Sequence, residues 1–170
     1  MNEGQRIASI AKGYIGQQEV RGNKGFKDAF FEEKMKAVGW NVGEAWCATF
    51  AELVWREAYA QMNSEVEHEL RSLFSSSATK TFSNFKFSKY GVSKKPEVGS
   101  LVCFKYGKGW QGHIGIVVAI NGKEMVCVEG NTNTQGGREG IEVGEVRRIL
   151  DFTSSDDKLN LLGFVNPIKA

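Results

Sequence analysis

The stretch His113-Ile114-Gly115-Ile116-Val117-Val118-Ala119-Ile120-Asn121-Gly122-Lys123-Glu124-Met125-Val126-Cys127-Val128-Glu129-Gly130-Asn131 decides how this chain is read. Two β-rich runs, His113 to Ile120 and Glu124 to Glu129, flank an Asn-Gly turn signal and predict an antiparallel hairpin. Three polar residues stand at its ends, and the turn decides whether they share a face. A two-residue Asn-Gly turn pairs Ile120 with Lys123 and His113 with Gly130, which sends Glu129 and Asn131 to the wrong side. A type I turn with Gly122 as a left-handed bulge residue pairs Ala119 with Lys123 instead. His113 then lies opposite Glu129, with Asn131 diagonal and Cys127 opposite Gly115. We take the bulged register.

Further β-rich runs surround the hairpin: Ser100 to Tyr106, Ile141 to Leu150 and Leu161 to Val165. Asp151 to Asn160 is polar and predicts a surface loop. Upstream the period changes to that of helices. Ile7, Ile10, Ala11 and Tyr14 mark a helix over Gln5 to Ile15, and Phe30, Phe31 and Met35 mark one over Phe26 to Val38, with Gly22-Asn23-Lys24-Gly25 a turn between them. The strongest helix runs from Ala45 to Gln61, with Cys47, Ala51, Val54 and Ala58 on one stripe. Weaker ones follow over Glu65 to Leu73 and Ser77 to Phe87. Helices first and a meandering sheet second predict an α+β fold. One domain spanning 1–170 is expected, with an N-terminal helical segment over 1–40, a helix over 45–62 and a sheet over 99–167.

Composition narrows the function. The chain has 170 residues, 41% hydrophobic and 25% charged, which excludes disordered, collagenous and coiled-coil classes. The 22 basic and 20 acidic residues give a net charge of +2, too balanced for the concentrated basic footprint that nucleic acid requires. No apolar run approaches the roughly 20 residues that span a bilayer. The opening Met1-Asn2-Glu3-Gly4-Gln5-Arg6 lacks a continuous apolar core, so synthesis in the cytoplasm without a signal peptide is expected. Three cysteines cannot all pair. Gly107-Lys108-Gly109-Trp110-Gln111-Gly112 matches a dinucleotide fingerprint, but a strand and not a helix follows, so no helix N-terminus is there to hold a pyrophosphate.

Cys47 stands at the start of the strongest helix, where the helix dipole and unpaired N–H groups favour a thiolate. Of the two histidines, His68 lies in a charged helix. His113 opens a strand that can aim an imidazole. Glu129 or Asn131 would fix its tautomer, and both remain candidates for that role. Cys103 and Cys127 read as core. A zinc site from Cys103, Cys127 and His113 has no supporting ligand spacing, and no metal or cofactor is expected. Asn41 is considered as an oxyanion donor, with a turn role as the alternative. Lys108, Trp110 and Gln111 flank His113 and, with Trp46 beside Cys47, are candidate substrate contacts.

Cys47, the strand opening Gly112-His113-Ile114-Gly115-Ile116-Val117 and the run Glu129-Gly130-Asn131, in this order, resemble the CHAP family of cysteine amidohydrolases and peptidases. Pro96-Glu97-Val98-Gly99-Ser100-Leu101-Val102 resembles the family's P-x-x-G-x segment before the first strand, Leu162-Gly163-Phe164-Val165-Asn166-Pro167 is similar to its last strand, and Trp46-Cys47-Ala48 looks most like phage-associated members. The resemblance implies a papain-like fold and cleavage of peptidoglycan amide bonds. In it, Cys47 would be the nucleophile, His113 the base, and Glu129 and Asn131 the orienting pair. Some members bind calcium ahead of the cysteine. With only Glu44 between Gly39 and Trp46, that ion is not expected here. The expected protein is a monomeric amidase or stem-peptide endopeptidase, from a phage or delivered into a rival cell, reaching the wall after holin-dependent release or with a secretion partner. A hydrolase of small amides or polyamine conjugates, and a non-catalytic wall-binding module, are the alternatives.

Overall fold

Short polar caps decide where the helices begin. The computed structural model describes residues 1–132 and 140–169. Helix α1, Glu3–Gly13, starts two residues before the expected Gln5 because Asn2 and Gln5 cap each other reciprocally. The Gln5 N–H donates to Asn2 Oδ1 at 2.9 Å and the Asn2 N–H to Gln5 Oε1 at 3.0 Å. Helix α2, Ala29–Ala37, starts later than expected, because Phe26 is taken by a hairpin and Asp28 caps the N–H groups of Phe30 and Phe31. That hairpin, β1 (Glu19–Val20) and β2 (Gly25–Phe26), pairs Glu19 with Phe26 around the expected turn. Its strands, two residues each, are too short to show a period. Helices α3 (Cys47–Met62), α4 (Ser64–Leu73) and α5 (Ala78–Lys86) lie close to their predicted spans.

Strands β3 (Leu101–Tyr106), β4 (Gly112–Asn121), β5 (Glu124–Thr132), β6 (Glu142–Ile149) and β7 (Leu159–Val165) form one antiparallel sheet in the order β6-β5-β4-β3-β7. Chain 16–19 covers the β6 edge, with the Glu19 N–H donating to Ile141 O at 2.7 Å and a bridge between Gln18 and Glu142. Covering it removes an unpaired strand edge.

Alternation divides the sheet into two faces. Leu101, Cys103, Ile114, Ile116 and Val128 pack on the helices, against Phe50, Val54, Trp55 and Ala58 of α3. Val102, Phe104, Val117, Met125 and Cys127 form a second cluster on the opposite face with Leu161 and Phe164. The architecture is α+β with antiparallel strands and Cys47 at a helix start, the papain-like arrangement expected. No helix among the described residues is long and apolar enough to cross a membrane.

The register of the decisive hairpin differs from expectation. Asn121 pairs with Glu124 across a turn of Gly122 and Lys123, and the extra residue is Val118, inside β4, not the turn glycine. Beyond this bulge Val117 pairs with Cys127 and Ile116 with Val128. Continued by one residue, this register sets Gly115 beside Glu129. His113 and Glu129 still share a face, because the register differs by two residues and the side-chain period is two, whereas the left-handed φ of 53° at Asn131 and the ladder shift between Glu129 and Thr132 interrupt that alternation. Cys127 lies opposite Val117 and not Gly115.

Candidate active site

Trp46 anchors the residue that follows it. Its ring meets Phe26 at 4.9 Å, Phe31 at 6.2 Å and Phe50 at 6.4 Å between centroids, all edge-on. This cage seats the α3 N-terminus against the end of β5, where a Cβ on Gly130 would come within 2.7 Å of Phe50 Cβ and 2.8 Å of Trp46 Cζ3. Glycine between Glu129 and Asn131 is thus a requirement of close packing. Cys47 is the first residue of α3, and no side chain caps this helix. A missing cap forgoes about 1 kcal/mol. It leaves the first-turn N–H groups and the positive helix end directed at the Cys47 region.

His113 is completely buried at the start of β4. Its Nε2 lies 2.6 Å from Glu129 Oε1, and its buried Nδ1 makes no hydrogen bond. The Cys47 thiol is the electrostatic neighbour of this imidazole, close enough for each to shift the other's proton affinity but outside hydrogen-bond geometry at Nδ1. Gly115 makes the arrangement possible: a Cβ there would sit 2.7 Å from Glu129 Cγ, so the carboxylate occupies the space that a side chain would take.

Arg148 was not foreseen from the sequence. It pairs with Met125 across β5 and β6, and its side chain runs beside Cys127 to Glu129. Its Nη2 donates to Glu129 Oε1 at 2.6 Å and its Nε to Oε2 at 2.8 Å, a bidentate grip. The guanidinium also stands 4.9 Å from the Phe104 ring centroid. No spacing signal points to it, because its reach to Glu129 depends on the length of the β5–β6 connection and on register.

Burial opposes ionisation of every member of this group, and local partners override it. Desolvation raises the Cys47 thiol, but His113 and the N–H groups of Ile114 and Ala48 bring the net shift below the ordinary value. Desolvation lowers the His113 imidazole, yet Glu129 and Cys47 push it well above its usual range. Desolvation raises Glu129, but His113 and Arg148 hold it far below the ordinary carboxylate range. The arrangement therefore favours a thiolate beside an imidazolium, the reactive form of a cysteine nucleophile. Cys103 and Cys127 are fully buried and pushed strongly upward by desolvation, so they are inert core thiols.

The other predicted positions are distributed unequally. Asn131 is buried, adopts a left-handed φ of 53° and accepts the Gly140 N–H through its carbonyl at 2.9 Å. Trp46 has no exposed surface, so the expected substrate contact is corrected to a packing role. Asn41 donates its amide to Gly39 O at 3.3 Å and Glu44 Oε1 at 3.0 Å, the turn role and not the oxyanion role. The loop of Lys108, Trp110 and Gln111 is tied down by Thr79 Oγ1 donating to Trp110 O at 2.8 Å, while the Trp110 ring is 72% exposed. Lys108 faces Asp156 at 3.4 Å, and Gln111 is half-buried. His68 is exposed on α4. The segment before Cys47 does not fit a calcium ion. Glu44 is its one carboxylate, and among the described residues no three or more His, Cys, Asp or Glu cluster as ligands.

A cysteine at a helix start, facing a histidine held by a carboxylate on an antiparallel sheet, defines the class of papain-like thiol hydrolases. The model of the CHAP domain matches residues 38–131, more than half of the chain, and the protein belongs to this family. The family is in general one of amidases and peptidases directed at peptidoglycan. No curated protein and no solved structure matches the chain.

Proposed function

We propose that this protein hydrolyses an amide bond of peptidoglycan by thiol catalysis, as an N-acetylmuramoyl-L-alanine amidase or a stem-peptide endopeptidase. The observation that carries the reading is the buried His113, bonded to Glu129 through Nε2 with its other nitrogen unbonded beside the Cys47 thiol. In this reading His113 takes the thiol proton, and the sulfur attacks the amide carbon. The developing oxyanion lies at the first-turn N–H groups of α3, where charge stabilisation is greatest. The imidazolium returns its proton to the leaving amine, and water, activated by the same imidazole, hydrolyses the thioester. Glu129 orients the imidazole and stabilises its charged form. Arg148 is a positioning residue that acts through Glu129. Asn131 completes the polar wall, and Trp110, Lys108 and Gln111 offer an exposed flank for glycan or peptide.

The test is solubilisation of purified sacculi by the wild type and by Cys47→Ala. Release by the wild type alone supports thiol catalysis, and equal release by both rejects it. Mass spectrometry of the new amino termini identifies the bond. Turnover of small amides without clearing of sacculi would favour the small-molecule alternative. Wall binding with an ordinary alkylation rate at Cys47 would favour a non-catalytic module.

A further inference from the structure

Beside the Cys47 site lies an open cleft of about 460 Å³, whose wall includes Glu19, Arg21, Asn23, Ala45, Asn131 and Ile141. Its size falls in the range of small-ligand sites, roughly 300–1,000 Å³. Ala45 is two residues from Cys47, and Asn131 is two residues from Glu129 on the same strand, so the cleft and the thiol site share a wall.

Glu19 is the unusual member. It is 4% exposed, yet it borders the cleft. Among the described residues its full hydrogen bond is from the Asn23 N–H to Oε2 at 2.7 Å, and the Trp46 indole, whose Nε1 makes no full bond, adds a weaker interaction. A carboxylate accepts about four hydrogen bonds, so this one is underused. Desolvation raises its pKa, and a cationic group in the cleft would relieve that penalty. Arg21, two residues along the chain, attracts the same carboxylate without closing an ion pair and is exposed at the rim. A buried anion and an exposed cation therefore border one cavity.

We infer that this cleft binds a free amino-acid centre of the substrate, its ammonium on Glu19 and its carboxylate on Arg21. Resting on the hydrolase reading above, this selects wall peptides that carry a diamino dicarboxylic acid with its second centre unblocked. Peptides in which that centre is acylated or amidated bind less well. Glu19 and Arg21 are specificity residues here, not members of the catalytic group.

The test uses three synthetic stem peptides with the second centre free, N-acetylated or carboxamidated. Binding to the Cys47→Ala protein and turnover by the active protein are measured in parallel. Acetylation is expected to weaken binding about tenfold or more when Glu19 is present and to have little effect in Glu19→Gln. Amidation is expected to do the same with respect to Arg21 and Arg21→Gln. Glu19→Gln keeps an acceptor for the Asn23 N–H, and Arg21 is exposed, so thermal melting separates recognition from misfolding. Equal binding of all three peptides, or equal losses for all three in a folded Glu19→Gln protein, would overturn the inference. Turnover of all three at equal rates overturns it while leaving the hydrolase reading intact. Selective binding without turnover upholds the recognition and rejects hydrolysis.

Discussion

Arg148 and His113 hold the same carboxylate from two sides: Glu129 Oε1 lies 2.6 Å from His113 Nε2 and 2.6 Å from Arg148 Nη2. The imidazole is thus oriented by a group that is itself clamped, and His113 and Glu129 are both fully buried. A buried carboxylate between two cations stays ionised, which keeps the imidazole charged and the nearby thiol acidic.

Removing Arg148 should expose this dependence. Arg148→Ala leaves Glu129 buried with one partner lost and is expected to destabilise the fold by about 3–5 kcal/mol. Arg148→Lys restores charge but not the fork, so it should recover part of the stability and less of the activity. Urea denaturation and turnover of the same samples check this, and unchanged values for both variants would refute the clamp.

Glu129→Gln retains a hydrogen-bonding group but removes the charge. The desolvation that opposes imidazolium then acts with less opposition. His113 should fall in pKa, the thiolate fraction of Cys47 should drop, and hydrolysis should slow by about 10²–10⁴-fold. The rate of iodoacetamide alkylation at neutral pH gives an independent measure, since it follows the thiolate alone.

The pH dependence has a definite sign. His113 is pushed up to about 9, so its contribution to stability is complete below 6.5 and disappears as pH rises through about 9. Hydrolysis should show an alkaline limb near the same pH, because the imidazolium must protonate the leaving amine. Glu129 is held down at about 2, so its contribution is complete above 4.5 and disappears as pH falls through about 2. An alkaline limb at the ordinary histidine value would contradict the role of Glu129.

Glu52 should set a separate slope. It is buried on α3 beside Arg56, and desolvation outweighs that ion pair and pushes it up to about 7. The protonated form is favoured in the fold, so stability is complete below 4.5 and declines as pH rises through about 7. Glu52→Gln should flatten that decline and be relatively more stable at pH 8 than at pH 5, by about 2–3 kcal/mol. Arg56 keeps Glu67 as a partner at 2.8 Å, which limits the damage. Thermal melts at the two pH values decide it.

Two glycines should fail in different ways. Gly115→Ala drives a methyl against Glu129 Cγ, displacing the carboxylate, and should lower activity by about tenfold or more. Gly130→Ala drives one against Phe50 Cβ and the Trp46 ring, and should cost about 1–3 kcal/mol of stability. Parallel denaturation and activity measurements separate the two effects. Equal loss of stability in both would reject the distinction.

What the sequence determined by itself is what local chemistry determines. The 3.6-residue stripe of Ala51, Val54 and Ala58 and the period-two runs of β4 and β5 declared the α+β class, because side-chain direction follows the backbone within a few residues. The same period kept Glu129 on the face of His113 even though the pairing was shifted by two. The place of the bulge was not legible: Asn121-Gly122 favours more than one turn, and whether Val118 is left out of the ladder depends on how both sheet faces pack. Trp46 shows the same limit. Beside the thiol in sequence it suggested substrate contact, and only the cage of Phe26, Phe31 and Phe50 made it core. Arg148 and Glu19 were decided by tertiary structure alone. Their significance lies in burial and in partners many residues away, and no local spacing encodes the closure that brings such groups together.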